Sequence, residues 1–114
     1  MSVKIDRIAS ELVKQISYIL AVEVKDSDIK FVTVTDCKVS SDLSFAKVYV
    51  TVFDKEKIID TMKALKNASG FIRRELANRV DIRHIPELTF IYDESIAYGK
   101  SIEDKINEIH NRDN

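Results

Sequence analysis

Apolar residues recur every three or four positions at Ile5, Ile8, Leu12, Ile16, Ile19 and Leu20, while Lys4, Arg7, Glu11, Lys14 and Tyr18 keep the same period on another side. That spacing predicts an amphipathic helix from Ile5 to about Val24. Asp26, Ser27 and Asp28 interrupt it. Lys30 to Val39 is dense in β-branched residues, and Ser40, Ser41 and Asp42 are turn formers. In the next run, Phe45 to Phe53, Ala46, Val48, Val50 and Val52 alternate with Lys47, Tyr49 and Thr51. Period two means one packed face and one wet face, so the two runs predict a hairpin.

Asp54 is placed to cap a second helix, with Ile58, Ile59, Met62 and Leu65 as its buried stripe. After Asn67-Ala68-Ser69-Gly70, helical spacing resumes with Phe71, Ile72, Leu76, Ala77 and Val80. Small residues between two helical patterns predict a helix–kink–helix at Ala68-Ser69-Gly70. Phe71 either turns inward at this bend or stands exposed, available to stack on a base. Pro86 disfavours helix at Ile85, Glu87 to Tyr92 reads as a third strand, and Ile102, Ile106 and Ile109 form the seam of a last helix. The expected architecture is a single α+β domain over residues 1–114, with its structured core at about 4–109. A three-stranded sheet carries helices packed on one face.

The chain of 114 residues has a formal charge of −1, so bulk charge announces no polyanion partner. Segregation changes that picture. Residues 63–84 hold Lys63, Lys66, Arg73, Arg74, Arg79 and Arg83 against Glu75 and Asp81 alone. Arginine matches phosphate bidentately, which makes this stretch the first hint of a nucleic-acid contact. Cys37 is the sole cysteine, no apolar run reaches the roughly 18 residues of a membrane span, and the first residues lack a signal-peptide core. A cytoplasmic protein of a reducing compartment is expected, with no membrane partner.

Catalytic chemistry finds no footing. His84 and His110 are the only histidines, no ligand spacing supplies a metal site, and Gly70 and Gly99 cannot build a glycine-rich phosphate cradle. Neither an enzyme nor a cofactor is expected, nor a small-molecule substrate. The remaining candidate is the bend. A helix beginning after Gly70 would present unpaired backbone N–H groups to an anion, with Lys66, Arg73 and Arg74 close by.

The residues Val32-Thr33-Val34-Thr35, Val39-Ser40-Ser41-Asp42-Leu43 and Ala46-Lys47-Val48-Tyr49-Val50 resemble the hairpin of bacterial ribosome-binding factor A. Gly70-Phe71-Ile72-Arg73-Arg74-Glu75-Leu76, Ile82-Arg83, Pro86-Glu87-Leu88, Phe90 and Asp93-Glu94-Ser95 are similar to its second signature. The resemblance implies a K-homology-like domain of the second topological type, with Ala68-Ser69-Gly70 as the family's Ala-x-Gly bend and no catalytic activity. It implies binding to the small (30S) ribosomal subunit and 16S ribosomal RNA, help in late maturation including 5′-end processing, and support of growth in the cold. Ala68, Ser69, Gly70, Arg73, Arg74 and Arg83 carry over from the family's pattern; Lys63, Lys66 and Arg79 are added from the charge distribution. A monomer is expected. The alternative is a K-homology-like protein-interaction module without direct RNA contact.

Overall fold

The computed structural model describes residues 3–29 and 31–94. The last helix expected around Ile102, Ile106 and Ile109 lies outside the described residues. Helix α1 spans Val3–Tyr18 and continues through a π-helical turn, Ile19–Glu23, closed by the Val24 N–H donating to the Ile19 carbonyl at 3.0 Å. Its apolar side chains Leu12, Ile16 and Ile19 are fully buried, as their helical spacing requires. The chain then forms β1 (Val32–Val39) and β2 (Phe45–Val52), which pair antiparallel. The connecting turn is held by Asp42, whose carboxylate accepts from the Ser40 hydroxyl at 2.7 Å and the Ser44 amide at 3.0 Å. These bonds hold its carboxyl below the usual range.

Ala46, Val48, Val50 and Val52 are buried while Phe45 and Lys47 are exposed, so the period-two pattern reports the packed face directly. The β1 pattern is interrupted by a bulge between Val34 and Asp36. The bulge is why both Val34 and Cys37 reach the core although an odd number of positions separates them.

Asp54 caps the next segment through its own carboxylate, which accepts from the Glu56 amide at 3.1 Å; a 3-10 turn leads into α2, Ile58–Arg79. Strand β3 (Glu87–Tyr92) adds parallel to β2, giving the sheet order β1-β2-β3. A parallel neighbour demands a crossover, and α2 supplies it. The core joins α1 and α2 to one sheet face through Leu12, Ile16, Val48, Val50, Leu65, Ile72 and Leu76.

One expectation is corrected here. The segment at Ala68-Ser69-Gly70 does not divide two helices, because α2 runs unbroken from Ile58 to Arg79 and Gly70 adopts no left-handed backbone. The stripe of Thr61, Ala64, Leu65, Ala68, Ile72 and Leu76 keeps one helical phase across the small residues, so packing carries the helix through them. Ser69 turns its hydroxyl back onto the Lys66 carbonyl at 2.8 Å. The same phase buries Thr61 and leaves Ile59 exposed, the reverse of the expected stripe at that end. Phe71 is half-buried against the core.

Candidate nucleic-acid interface

Because α2 is continuous, its amides at residues 68–70 are spent within the helix, and no anion-binding helix terminus exists there. What the sequence places together is instead a stripe. Positions 63, 66, 70 and 74 follow helical spacing, and Lys63, Lys66, Gly70 and Arg74 are all exposed. Gly70 leaves a bare patch of backbone in the middle. A Cβ built there would meet nothing nearer than Arg74 Nη1, at 3.7 Å. Nothing inside the fold therefore requires a glycine at a position where it costs about 1 kcal/mol of helix stability relative to alanine.

Beside this stripe runs a groove of about 650 Å³ between α2 and the edge strand β3. Ile58, Ile59, Met62, Lys63, Lys66 and Ser69 form one wall, and Glu87 to Phe90 form the other. Its combination of apolar floor and cationic rim suits a base with its phosphate. Sequence reasoning passed over Ile59 by counting it into the core; its mismatch with the phase of Leu65, Ile72 and Leu76 was the available signal.

The remaining cations divide by their partners. Arg73 donates from Nη2 to the Ile85 carbonyl at 3.0 Å, fixing the loop that leads through buried Pro86 into β3. Arg79 donates to Glu23 Oε1 at 2.9 Å, stands 3.9 Å from Glu75 and lies over the Tyr18 ring at 4.6 Å. It sits seven residues past Ile72, on the packed side of α2, which brings it against the π-helical turn. Arg83 is exposed on the loop after α2. Ala68 is half-buried on the opposite side of α2, packed against the core, and Ser69 is half-buried on the flank of the stripe. Thus Lys63, Lys66, Gly70 and Arg74 share one open face, whereas Arg73 and Arg79 are turned to partners within the chain.

Among the described residues, no group of three or more His, Cys, Asp and Glu side chains is arranged to hold a metal ion. No helix among them is long and apolar enough to cross a membrane.

An α+β domain in which two helices cover one face of a three-stranded mixed sheet, with an open groove between the second helix and the edge strand, defines the K-homology-like class. The sequence profile described as ribosome-binding factor A matches residues 4–106, and the chain belongs to that family. It is 47% identical over 109 residues to ribosome-binding factor A of Staphylococcus carnosus, covering 95% of both chains. With the Staphylococcus epidermidis factor it shares 46% identity over 113 residues, covering 98% of this chain and 97% of that one. The crystal structure of ribosome-binding factor A from Thermus thermophilus superposes with a TM-score of 0.69 at 26% identity, covering 77% of this chain and 93% of that one. Coordinates of the Thermus factor fitted into a cryo-electron-microscopy map of a 30S–RbfA complex match with a TM-score of 0.63 at 28% identity, covering 73% and 88%.

Proposed function

We propose that this chain is a non-catalytic assembly factor. It binds the 30S ribosomal subunit, contacts 16S ribosomal RNA, and assists late maturation including processing of the 5′ end. The observation that carries this reading is the exposed line of Lys63, Lys66 and Arg74 around the bare backbone of Gly70, beside an apolar groove. Cations on one face neutralise successive phosphates, and a residue without a side chain between them lets the RNA backbone come close. Arg83, exposed on the loop after α2, offers a further cation to the RNA, while Arg73 and Arg79 hold the scaffold. The family's relation to the ribosome, and the Thermus relative seen with the 30S subunit, support the choice of partner.

The test is cosedimentation with purified 30S subunits. Lys63→Glu, Lys66→Glu and Arg74→Glu combined should retain the circular-dichroism spectrum and lose 30S binding. With about three phosphate contacts, wild-type affinity should fall more than tenfold between roughly 50 and 200 mM salt. A triple variant that still binds like the wild type would refute the assignment. The effect on maturation is read by the 5′ ends of 16S RNA in cells carrying the triple variant, where unprocessed precursor should accumulate.

A further inference from the structure

Phe31 stands just before β1 and Phe53 just after β2, and the Phe31 carbonyl accepts from the Phe53 amide at 3.3 Å. Their ring centroids lie 6.0 Å apart with the planes tilted by 53°, yet Phe31 is 76% exposed and Phe53 84%. Phe31 also holds a φ of 62°. That left-handed backbone crowds the Cβ of an ordinary residue, whereas glycine adopts it freely. Leu43 has a φ of 64° too, but its side chain packs against the core. Phe31 gains no such burial, so the fold by itself is better served by glycine at this position. Backbone strain and exposure meeting at one aromatic ring point to a contact outside the chain.

The Phe31 ring borders two clefts. One, of about 410 Å³, runs past Val52 and Phe53 to Lys57 and Thr61, where α2 begins. The other, of about 570 Å³, is lined by the apolar side chains of Leu20, Val24, Ile29 and Val32. The charged residues lining the two clefts are Lys25, Lys55 and Lys57 against Asp26, Asp28 and Asp54. Interspersed charges in equal number present no net field to a polyanion, unlike the cationic stripe of α2. An aromatic centre inside a rim of both signs has instead the make-up of a surface that binds protein.

We infer, resting on the reading that the partner is the 30S subunit, that Phe31 and Phe53 dock on a protein component of that subunit. Its apolar side chains enter the two clefts, and its own charges of both signs meet the rim. The stripe on α2 and the aromatic pair thereby have different tasks. Lys63, Lys66 and Arg74 hold RNA, and the rings demand protein beside it. Because the first cleft reaches the start of α2, the two surfaces adjoin, and one docking event engages both. The chain then prefers the assembled subunit to 16S RNA stripped of protein.

The experiment measures binding of the full chain to purified 30S subunits and, in parallel, to protein-free 16S RNA. Phe31→Gly and Phe53→Ser should each weaken 30S binding about tenfold and leave affinity for the bare RNA unchanged. Phe31→Gly should keep or raise the melting temperature, because glycine takes the left-handed backbone freely. Phe53→Ser removes an exposed ring without touching that backbone, so the binding result stands on two variants. A clearly lower melting temperature for Phe31→Gly would show that the ring serves the fold, and overturn the inference. Equal weakening towards subunit and bare RNA would place the rings on RNA and overturn it as well. Wild-type 30S binding by both variants would sink the inference alone, whereas a wild-type chain that fails to bind the subunit would sink the functional reading along with it. Photo-crosslinking p-benzoyl-phenylalanine at position 53 should join a ribosomal protein, identified by mass spectrometry; attachment to 16S RNA or to a second copy of this chain would refute the docking.

Discussion

Arg73 and Ile85 are joined by a 3.0 Å hydrogen bond from a guanidinium to a backbone carbonyl, while Arg74, one residue on, is exposed. Adjacent arginines on one helix thus have separate duties. Arg73→Ala should lower stability by about 1–3 kcal/mol, because a charge-assisted bond to a half-buried carbonyl is lost and the loop into β3 is released. Arg74→Glu should leave stability within about 0.5 kcal/mol and weaken 30S binding. Urea denaturation of both variants, with cosedimentation of each, separates the two effects.

Gly70→Ala is expected to stabilise the protein by about 0.5–1 kcal/mol, since the added methyl meets only the flexible end of Arg74 and the helix gains a better former. The same methyl stands where the RNA backbone should approach, so affinity for the 30S subunit should drop. A variant both more stable and fully competent in binding would show that closeness of the RNA to Gly70 is immaterial.

Much of the fold was legible because one period dominated each segment. The alternation of Ala46, Val48, Val50 and Val52 announced β2, and the spacing of Ile8, Leu12 and Ile16 announced α1. The break at Ala68-Ser69-Gly70 was read from local signals, whereas the core decides by phase. Leu65, Ala68, Ile72 and Leu76 form one continuous stripe, and that tertiary packing overrides the propensity of a single glycine. Thr61 is only 1% exposed and Ile59 is 75% exposed for the same reason; counting apolar residues cannot see it. The basic cluster at 63–84 was visible as composition, but chain order does not tell which cation has an internal partner. Glu23 and Ile85 lie 56 and 12 residues from the arginines that they engage.

Cys37 gives a pH dependence with a definite sign. Burial, reinforced by the neighbouring Asp36 carboxylate, pushes its thiol up from the ordinary 9.0 to about 11. Below pH 9 the thiol is protonated in both the folded and unfolded chain and contributes no change. As pH rises from about 9 towards 11 the unfolded chain ionises first, so stability should decline across that window. Cys37→Val should remove this part of the alkaline loss, as measured by urea midpoints at stepped pH. In the folded wild type the thiol should also react slowly with iodoacetamide at neutral pH.

The link between Arg79 and the C-terminal end of α1 with its π-helical turn should be modest. Both partners of the Arg79–Glu23 pair keep about a third of their side-chain surface in water, 28% and 35%. A double-mutant cycle with Arg79→Ala and Glu23→Ala should therefore give a coupling of only about 0.5 kcal/mol, reduced by salt. Tyr18→Ala should couple to Arg79→Ala by about 0.5–1 kcal/mol through the ring contact, and that term should survive added salt better. A Glu23 coupling well above 1 kcal/mol would mean that the pair is far less screened than its exposure indicates.

The parallel pairing of β2 with β3 sets an order of assembly. The β1–β2 hairpin closes over a short loop, but Phe45 meets Glu87 only after the whole of α2 has been laid between them. Closing that longer loop costs more chain entropy before any contact rewards it, so the third strand is expected to join last. Pulse-labelled hydrogen exchange should protect the Lys47 amide, which faces β1, before that of Thr89, which faces β2; simultaneous protection would contradict this sequence of events. Since β3 is one wall of the groove, a nascent or partly refolded chain carries the basic helix before it carries a cleft, and recognition that needs both is withheld until folding is finished.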